Sequence, residues 1–220
     1  MRKFVLLLAF SCLFLQADAR NRKVKIVTSK GKIIVLLSDK TPLHRDNFIK
    51  LVKQKFYDSI LFHRVIKEFM IQAGDPTTKK SEPGKRYGSG GLEYKIPAEF
   101  DTSLFHKRGV LAAARDSNPE KASSGSHFYI VQGKKFTDST LNDVREKRMG
   151  GRVIPDHQRE VYKTIGGAPH LDQNYTVFGE VIKGMAVVDT IAQMERDQYD
   201  RPKEDVRIIK IRLKKKFLFF

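Results

Sequence analysis

The segment Phe62-His63-Arg64-Val65-Ile66-Lys67-Glu68-Phe69-Met70-Ile71-Gln72-Ala73-Gly74-Asp75 gathers most of the chemical capacity of this chain. Within nine positions it carries an arginine, a glutamine and two large apolar residues, Phe69 and Met70. On a strand, residues two apart share a face. Met70 and Gln72 then point the same way, with Arg64 on a neighbouring strand. A fixed cation and an amide beside apolar surface offer hydrogen bonds and hydrophobic contact without a nucleophile. A core strand pair with one surface arginine has the same pattern, and the residues alone leave both readings open. Other constellations are missing: there is no H-E-x-x-H, no C-x-x-C and no G-x-x-x-x-G-K-[ST]. The stretch 84–91 is glycine-rich but lacks G-x-G-x-x-G. The six histidines, at 44, 63, 106, 127, 157 and 170, show no metal-ligand spacing, so neither a metal site nor a cofactor is expected. A Ser–His pair stays open, although no G-x-S-x-G elbow is present.

The elements that must hold these residues are mostly strands. Val24–Thr28 and Ile33–Leu37 flank Ser29-Lys30-Gly31-Lys32 and read as a β-hairpin. Thr41-Pro42 opens a helix, with Thr as N-cap and Pro at the first helical position. Phe48, Leu51, Val52 and Phe56 recur at helical spacing and give that helix a buried face. Short apolar runs follow: Leu61–Ile66, Met70–Ala73, Val110–Ala114, Phe128–Gln132 and Val177–Ile182. Met185–Met194 reads as a second helix and Val206–Leu213 as an alternating strand. Many short strands with two convincing helices predict an antiparallel sandwich or barrel. The polar stretch at about 137–168 interrupts this pattern and reads as an insertion with some helix.

Composition bounds the function. The 220 residues fit one domain, with 42 Lys+Arg against 25 Asp+Glu and a net charge of +17. A single cysteine excludes a disulfide scaffold and any multi-cysteine metal site. Residues 1–19 have the grammar of a secretory signal peptide: Arg2 and Lys3, an apolar run from Phe4 to Leu15, then Ala17-Asp18-Ala19. The run is too short for a transmembrane helix, which needs about 20 apolar residues. Cleavage after Ala19 removes the only cysteine, Cys12, and leaves the excess of positive charge nearly intact. The expected location is the periplasm or outside the cell, and nucleic acid is not an expected partner. The C-terminal run Lys214-Lys215-Lys216 and Phe217-Leu218-Phe219-Phe220 has two readings: weak contact with an anionic membrane surface, or aromatic residues packed on the domain beneath solvated lysines.

FHRVIKEFMIQAGD resembles the signature of the cyclophilins, the peptidyl-prolyl cis-trans isomerases. Gly125-Ser126-His127-Phe128-Tyr129-Ile130 is similar to the family's GSQFFI segment. Leu171 with Tyr175-Thr176-Val177-Phe178-Gly179-Glu180-Val181 resembles its L-D-x-x-x-x-V-F-G-x-V segment. Thr41-Pro42 with Asn47-Phe48 matches its first helix, and Gly109-Val110-Leu111 its G-x-L strand. These ordered matches span residues 24–213. The resemblance implies a mainly β fold, an eight-stranded antiparallel barrel capped by two α-helices, acting as a monomer on proline-containing polypeptides. It implies Arg64, Gln72 and Phe69 as catalytic residues. Met70, Ala114, Arg115, His127, Tyr129, His170, Leu171 and Tyr175 fall on its substrate-binding positions. A proline-segment binding module or chaperone with little catalysis is the alternative. Four positions depart from the family: His127 replaces Gln, Tyr129 replaces Phe and adds a hydroxyl at the pocket, Tyr175 replaces a common His, and His170 replaces the Trp used in binding cyclosporin. The missing Trp predicts weak binding of that drug, and nanomolar inhibition in a peptide assay would overturn this expectation.

Overall fold

The structure, a computed structural model, describes residues 23–214; the leader expected at residues 1–19, Cys12 within it, and all but the first residue of the C-terminal run lie outside the described residues. The chain runs β1 (Lys23–Thr28), β2 (Gly31–Leu37), α1 (Pro42–Lys53), β3 (Phe62–Ile66), β4 (Met70–Ala73), β5 (Lys95–Ile96), β6 (Val110–Ala113), β7 (Ser123–Ser124) and β8 (Phe128–Val131). It continues through α2 (Asp138–Arg148), α3 (Asp156–Thr164), β9 (Val177–Lys183), α4 (Met185–Ala192) and β10 (Ile208–Leu213). Eight strands form one antiparallel sheet in the order β10-β1-β2-β9-β6-β8-β4-β3. The sheet curls so that its edges approach: Leu61 bridges Arg207, the Phe62 amide donates to Val206 O at 2.9 Å, and the Ile208 amide to Ile60 O at 2.7 Å.

Alternation fills the inside. Val24 and Ile26 of β1 and Ile33, Val35 and Leu37 of β2 point inward, as do Ile208 and Ile211 of β10, three apart across a register shift against β1. Phe48, Leu51 and Val52 of α1 and Val188, Ile191 and Ala192 of α4 complete the same core. β6 and β8 are buried on both faces. Leu111, Ala113, Phe128 and Ile130 face the main core, whereas Val110, Ala112, Tyr129 and Val131 face a second cluster with Met70 and Leu171. Strands β4, β6 and β8 are thus a wall between the main core and an outer apolar face.

The two expected capping helices are α1 and α4, and the segment at about 137–168 supplies two more. Thr41 sits at the N-cap of α1 with Pro42 after it, but its side chain makes no capping bond. Glu99, remote in sequence, takes that role: its carboxylate accepts from the Leu43 and His44 amides, both at 3.0 Å, and from His44 Nδ1 at 2.7 Å. Glu99→Ala is expected to cost about 0.5–2 kcal/mol in a denaturant titration, the range for a lost helix cap; an unchanged midpoint would refute this role. Phe56, expected on the helix, lies past its end and packs partly buried against the core.

This segment has a small core of its own, Leu141, Ile154 and Tyr162, backed by Phe105, Phe136 and Met149. The chain leaves and re-enters the domain side by side. The Gly167 amide donates to Lys134 O at 2.9 Å, and Gly167 also bridges Lys107. Gly167 is required at this crossing, because a Cβ there would run into the backbone of His106 and Lys107.

Candidate active site

The register of the sheet assembles the site. Arg64 pairs with Gln72, Gln72 with Tyr129, and Tyr129 with Ala112. Four strands therefore set these residues in one row across the outer face. Neighbours in such a row are held at about the 4.8 Å spacing between strands, so loops contribute little to the placement.

Arg64 reaches this row through a β-bulge. The β3–β4 register shifts between Phe62 and Arg64, so His63 is the extra residue. In an unbroken strand Phe62 and Arg64 would share a face. The bulge lets Phe62 enter the main core, 1% exposed, while Arg64 turns outward beside Gln72. Bulges re-aim side chains in this manner. His63 is buried at 3% exposure, and neither ring nitrogen has a hydrogen-bond partner. Burial, then the neighbouring His127, holds its pKa down at about 3, with Asp75 opposing and Arg64 adding to the fall.

A cleft of about 740 Å³ opens over the row. Nine of the eleven expected residues line it: Arg64, Phe69, Met70, Gln72, Ala114, Arg115, Tyr129, Leu171 and Tyr175. Met70, Tyr129, Leu171 and Ala114 are buried and form an apolar floor. Tyr175 stands edge-on to Tyr129, ring centroids 6.0 Å apart, and the Arg115 guanidinium covers it at 4.8 Å. Arg115 is anchored by Nε donating to Asn174 O at 2.8 Å. Above the floor, Arg64 Nη1 lies 3.5 Å from Gln72 Oε1, and its Nε lies 3.7 Å from Asp200 Oδ2. Both contacts are long, so the guanidinium keeps donors free toward the cleft.

The two remaining expected residues lie elsewhere. His127 lines an adjoining recess with Gln72, Ala114 and Arg115. Its Nε2 donates to Gly90 O, so the proton there is already engaged within the protein. His170 stacks on the far side of Phe69, centroids 5.5 Å apart, and faces a separate cavity against α2. Burial, with Arg148 adding, lowers its pKa to about 4. A further correction concerns Tyr129. Its hydroxyl does not stand in the cleft; it turns beneath the floor to His106 Nε2 at 2.9 Å, because a buried phenol needs a partner.

Sequence reasoning missed one wall, made of Arg86, Tyr87, Gly88 and Ser89 with Gln198, Tyr199 and Asp200. The glycine-rich run 84–91 was a signal for part of it. The second half follows α4 in a charged loop that carries no motif. Asp200 adopts a left-handed φ of 62° and also pairs with Arg196 at 3.3 Å.

A family model described as cyclophilin type peptidyl-prolyl cis-trans isomerase/CLD matches residues 23–213. The chain belongs to this cyclophilin family. A Staphylococcus haemolyticus protein named as a peptidyl-prolyl cis-trans isomerase is 37% identical over 197 residues, covering 88% of this chain and 93% of its own. A Streptococcus pyogenes protein named as a bifunctional phosphatase/peptidyl-prolyl cis-trans isomerase is 38% identical over 201 residues. That match covers 89% of this chain but only 40% of the streptococcal protein. Among solved structures, a Cryptosporidium parvum cyclophilin type peptidyl-prolyl cis-trans isomerase, crystallised in the presence of the dipeptide Ala-Pro, is similar with a TM-score of 0.65 at 24% identity. The similarity covers 88% of this chain and 99% of that one, and it is a likeness of fold. This cyclophilin is accordingly an isomerase, with a mainly β, eight-stranded curled sheet and four α-helices among the described residues.

Proposed function

We propose that this cyclophilin accelerates X-Pro rotation by stabilising the twisted amide with Arg64. The bond rotates slowly because resonance imposes a barrier of about 18–20 kcal/mol. Nothing needs to be cleaved; the enzyme must only favour the twisted amide over the planar one. Twisting returns a lone pair to the proline nitrogen and makes it an acceptor. Arginine is charged at every accessible pH and so is a constant donor. The row Arg64–Gln72–Tyr129 above an apolar floor is the observation that carries this reading. Met70, Phe69, Tyr129 and Leu171 take the ring, Gln72 steadies Arg64 and a substrate carbonyl, and Arg115 borders the flanking backbone.

The clients are proline-containing chains folding after export, a reading that rests on the leader at residues 1–19. A proline-peptide assay with purified protein tests the chemistry. Wild type should accelerate exchange, and Arg64→Ala should lose most of that gain. Equal and negligible rates for both proteins would instead mark a proline-segment binding module.

A further inference from the structure

The insertion touches the proline pocket through a buried chain of hydrogen bonds. Tyr162 of α3, fully buried, donates its hydroxyl to Asp172 Oδ2 at 2.6 Å. Asp172 Oδ1 accepts from the His106 amide at 2.7 Å and from His106 Nδ1 at 2.9 Å. His106 Nε2 meets the Tyr129 hydroxyl at 2.9 Å. The protons at Asp172 can be assigned from donor and acceptor capacity. A carboxylate only accepts, so Nδ1 of His106 carries the proton of that bond. At Nε2 the partner is the Tyr129 hydroxyl, and a phenol can hold that bond as donor or as acceptor. Burial raises the pKa of both tyrosines, so both phenols stay protonated and able to donate. The insertion grips the same residue a second time: Arg152 Nη2 donates to the Asp172 carbonyl. α3 is itself tied to the domain where Gln158 Nε2 donates to Thr102 O at 2.9 Å.

Tyr129 is the receiving end, and its ring forms part of the cleft floor. Its two fixed references are the β8 backbone and the His106 bond, while Tyr175 leans on it edge-on. We propose that the insertion is a positioning element for the proline pocket, with Tyr162 acting through Asp172 and His106 to fix the ring of Tyr129. Tyr162 is a positioning residue, since it touches neither substrate nor reacting bond. The inference rests on the isomerase reading and assigns the insertion a part in holding substrate. A floor that is misplaced weakens grip on the proline ring in the planar and twisted states alike, so the effect falls on KM rather than kcat.

A double-mutant cycle tests this on the full chain. Tyr162→Phe should raise KM for a proline peptide about threefold to tenfold with kcat unchanged, the worth of one buried hydrogen bond. In a Tyr129→Phe background the same substitution should leave KM unmoved, while lowering the melting temperature as much as it does in wild type. Equal KM effects in both backgrounds, or none in either, would overturn the proposal, because a merely structural tyrosine acts independently of Tyr129. Should Tyr162→Phe fail to fold, His106→Asn serves instead. Asn keeps the donor toward Asp172 and loses the ring nitrogen that meets Tyr129, so it must raise KM similarly; an unchanged KM overturns the proposal. A readout free of activity is the Tyr129 ring resonances in the unliganded protein, which must move in Tyr162→Phe. Static resonances would refute the coupling. Failure of the isomerase reading looks different: wild type would not accelerate exchange, yet those resonances would still shift.

Discussion

Arg64→Ala is expected to lower kcat/KM for proline peptides by one to two decades and leave the melting temperature almost unchanged. A hydrogen bond to a charged group contributes about 1.5–3 kcal/mol, and each 1.4 kcal/mol is about tenfold in rate. The free protein holds Arg64 by long contacts only, 3.5 Å to Gln72 and 3.7 Å to Asp200, with 43% of the side chain exposed. Exposed ion pairs contribute about 0–1 kcal/mol to stability, which is why folding should tolerate the change. Arg64→Lys should recover only part of the rate. An ammonium keeps the charge but loses the planar fork that can serve Gln72 and the amide nitrogen together. Steady-state kinetics and a thermal melt on the three proteins check this. A full-rate alanine variant would remove Arg64 from the mechanism.

The second large effect is acid destabilisation centred on His63. Folding buries its imidazole and holds the pKa at about 3, against 6.5 for an ordinary histidine. Between those values the unfolded chain binds a proton that the native state refuses. Stability therefore rises with pH across this window and is lost as pH falls from about 6.5 toward 3. At 1.36 kcal/mol per pKa unit, the loss is on the order of a few kcal/mol when the window has been crossed. His170 and His44, whose pKa values are also lowered chiefly by burial, add in the same direction. Urea titrations at pH 7, 5.5 and 4.5 should show the decline, and His63→Leu should flatten part of it. An identical slope for wild type and variant between pH 6.5 and 4.5 would refute the assignment.

The legible parts of the fold were those governed by local periodicity. β1 and β2 follow from two β-branched runs around Gly31, and α1 from the spacing of Phe48, Leu51 and Val52. Met70 and Gln72 sharing a face beside Arg64 was also readable. What escaped depends on distant partners. Alternation places Phe62 and Arg64 on one face, and only the ladder with β4 reveals that His63 is an extra residue. The Tyr129 hydroxyl and Glu99 are likewise assigned by His106 and by α1, which no local pattern connects to them. Helices α2 and α3 are polar on most of their surface and bury few residues, which is why 137–168 reads as an insertion with only some helix.

Gly167 and Lys134 form a stalk: the chain departs and returns through one hydrogen-bonded pair. Closing a loop at fixed ends costs only logarithmically more as the loop lengthens. The two chain ends meet at this stalk, while Arg152, Gln158 and Tyr162 reach past it to Asp172 and Thr102. In design terms the stalk is a socket. A segment rooted there that sends one hydroxyl down to Asp172 acquires a handle on the active site.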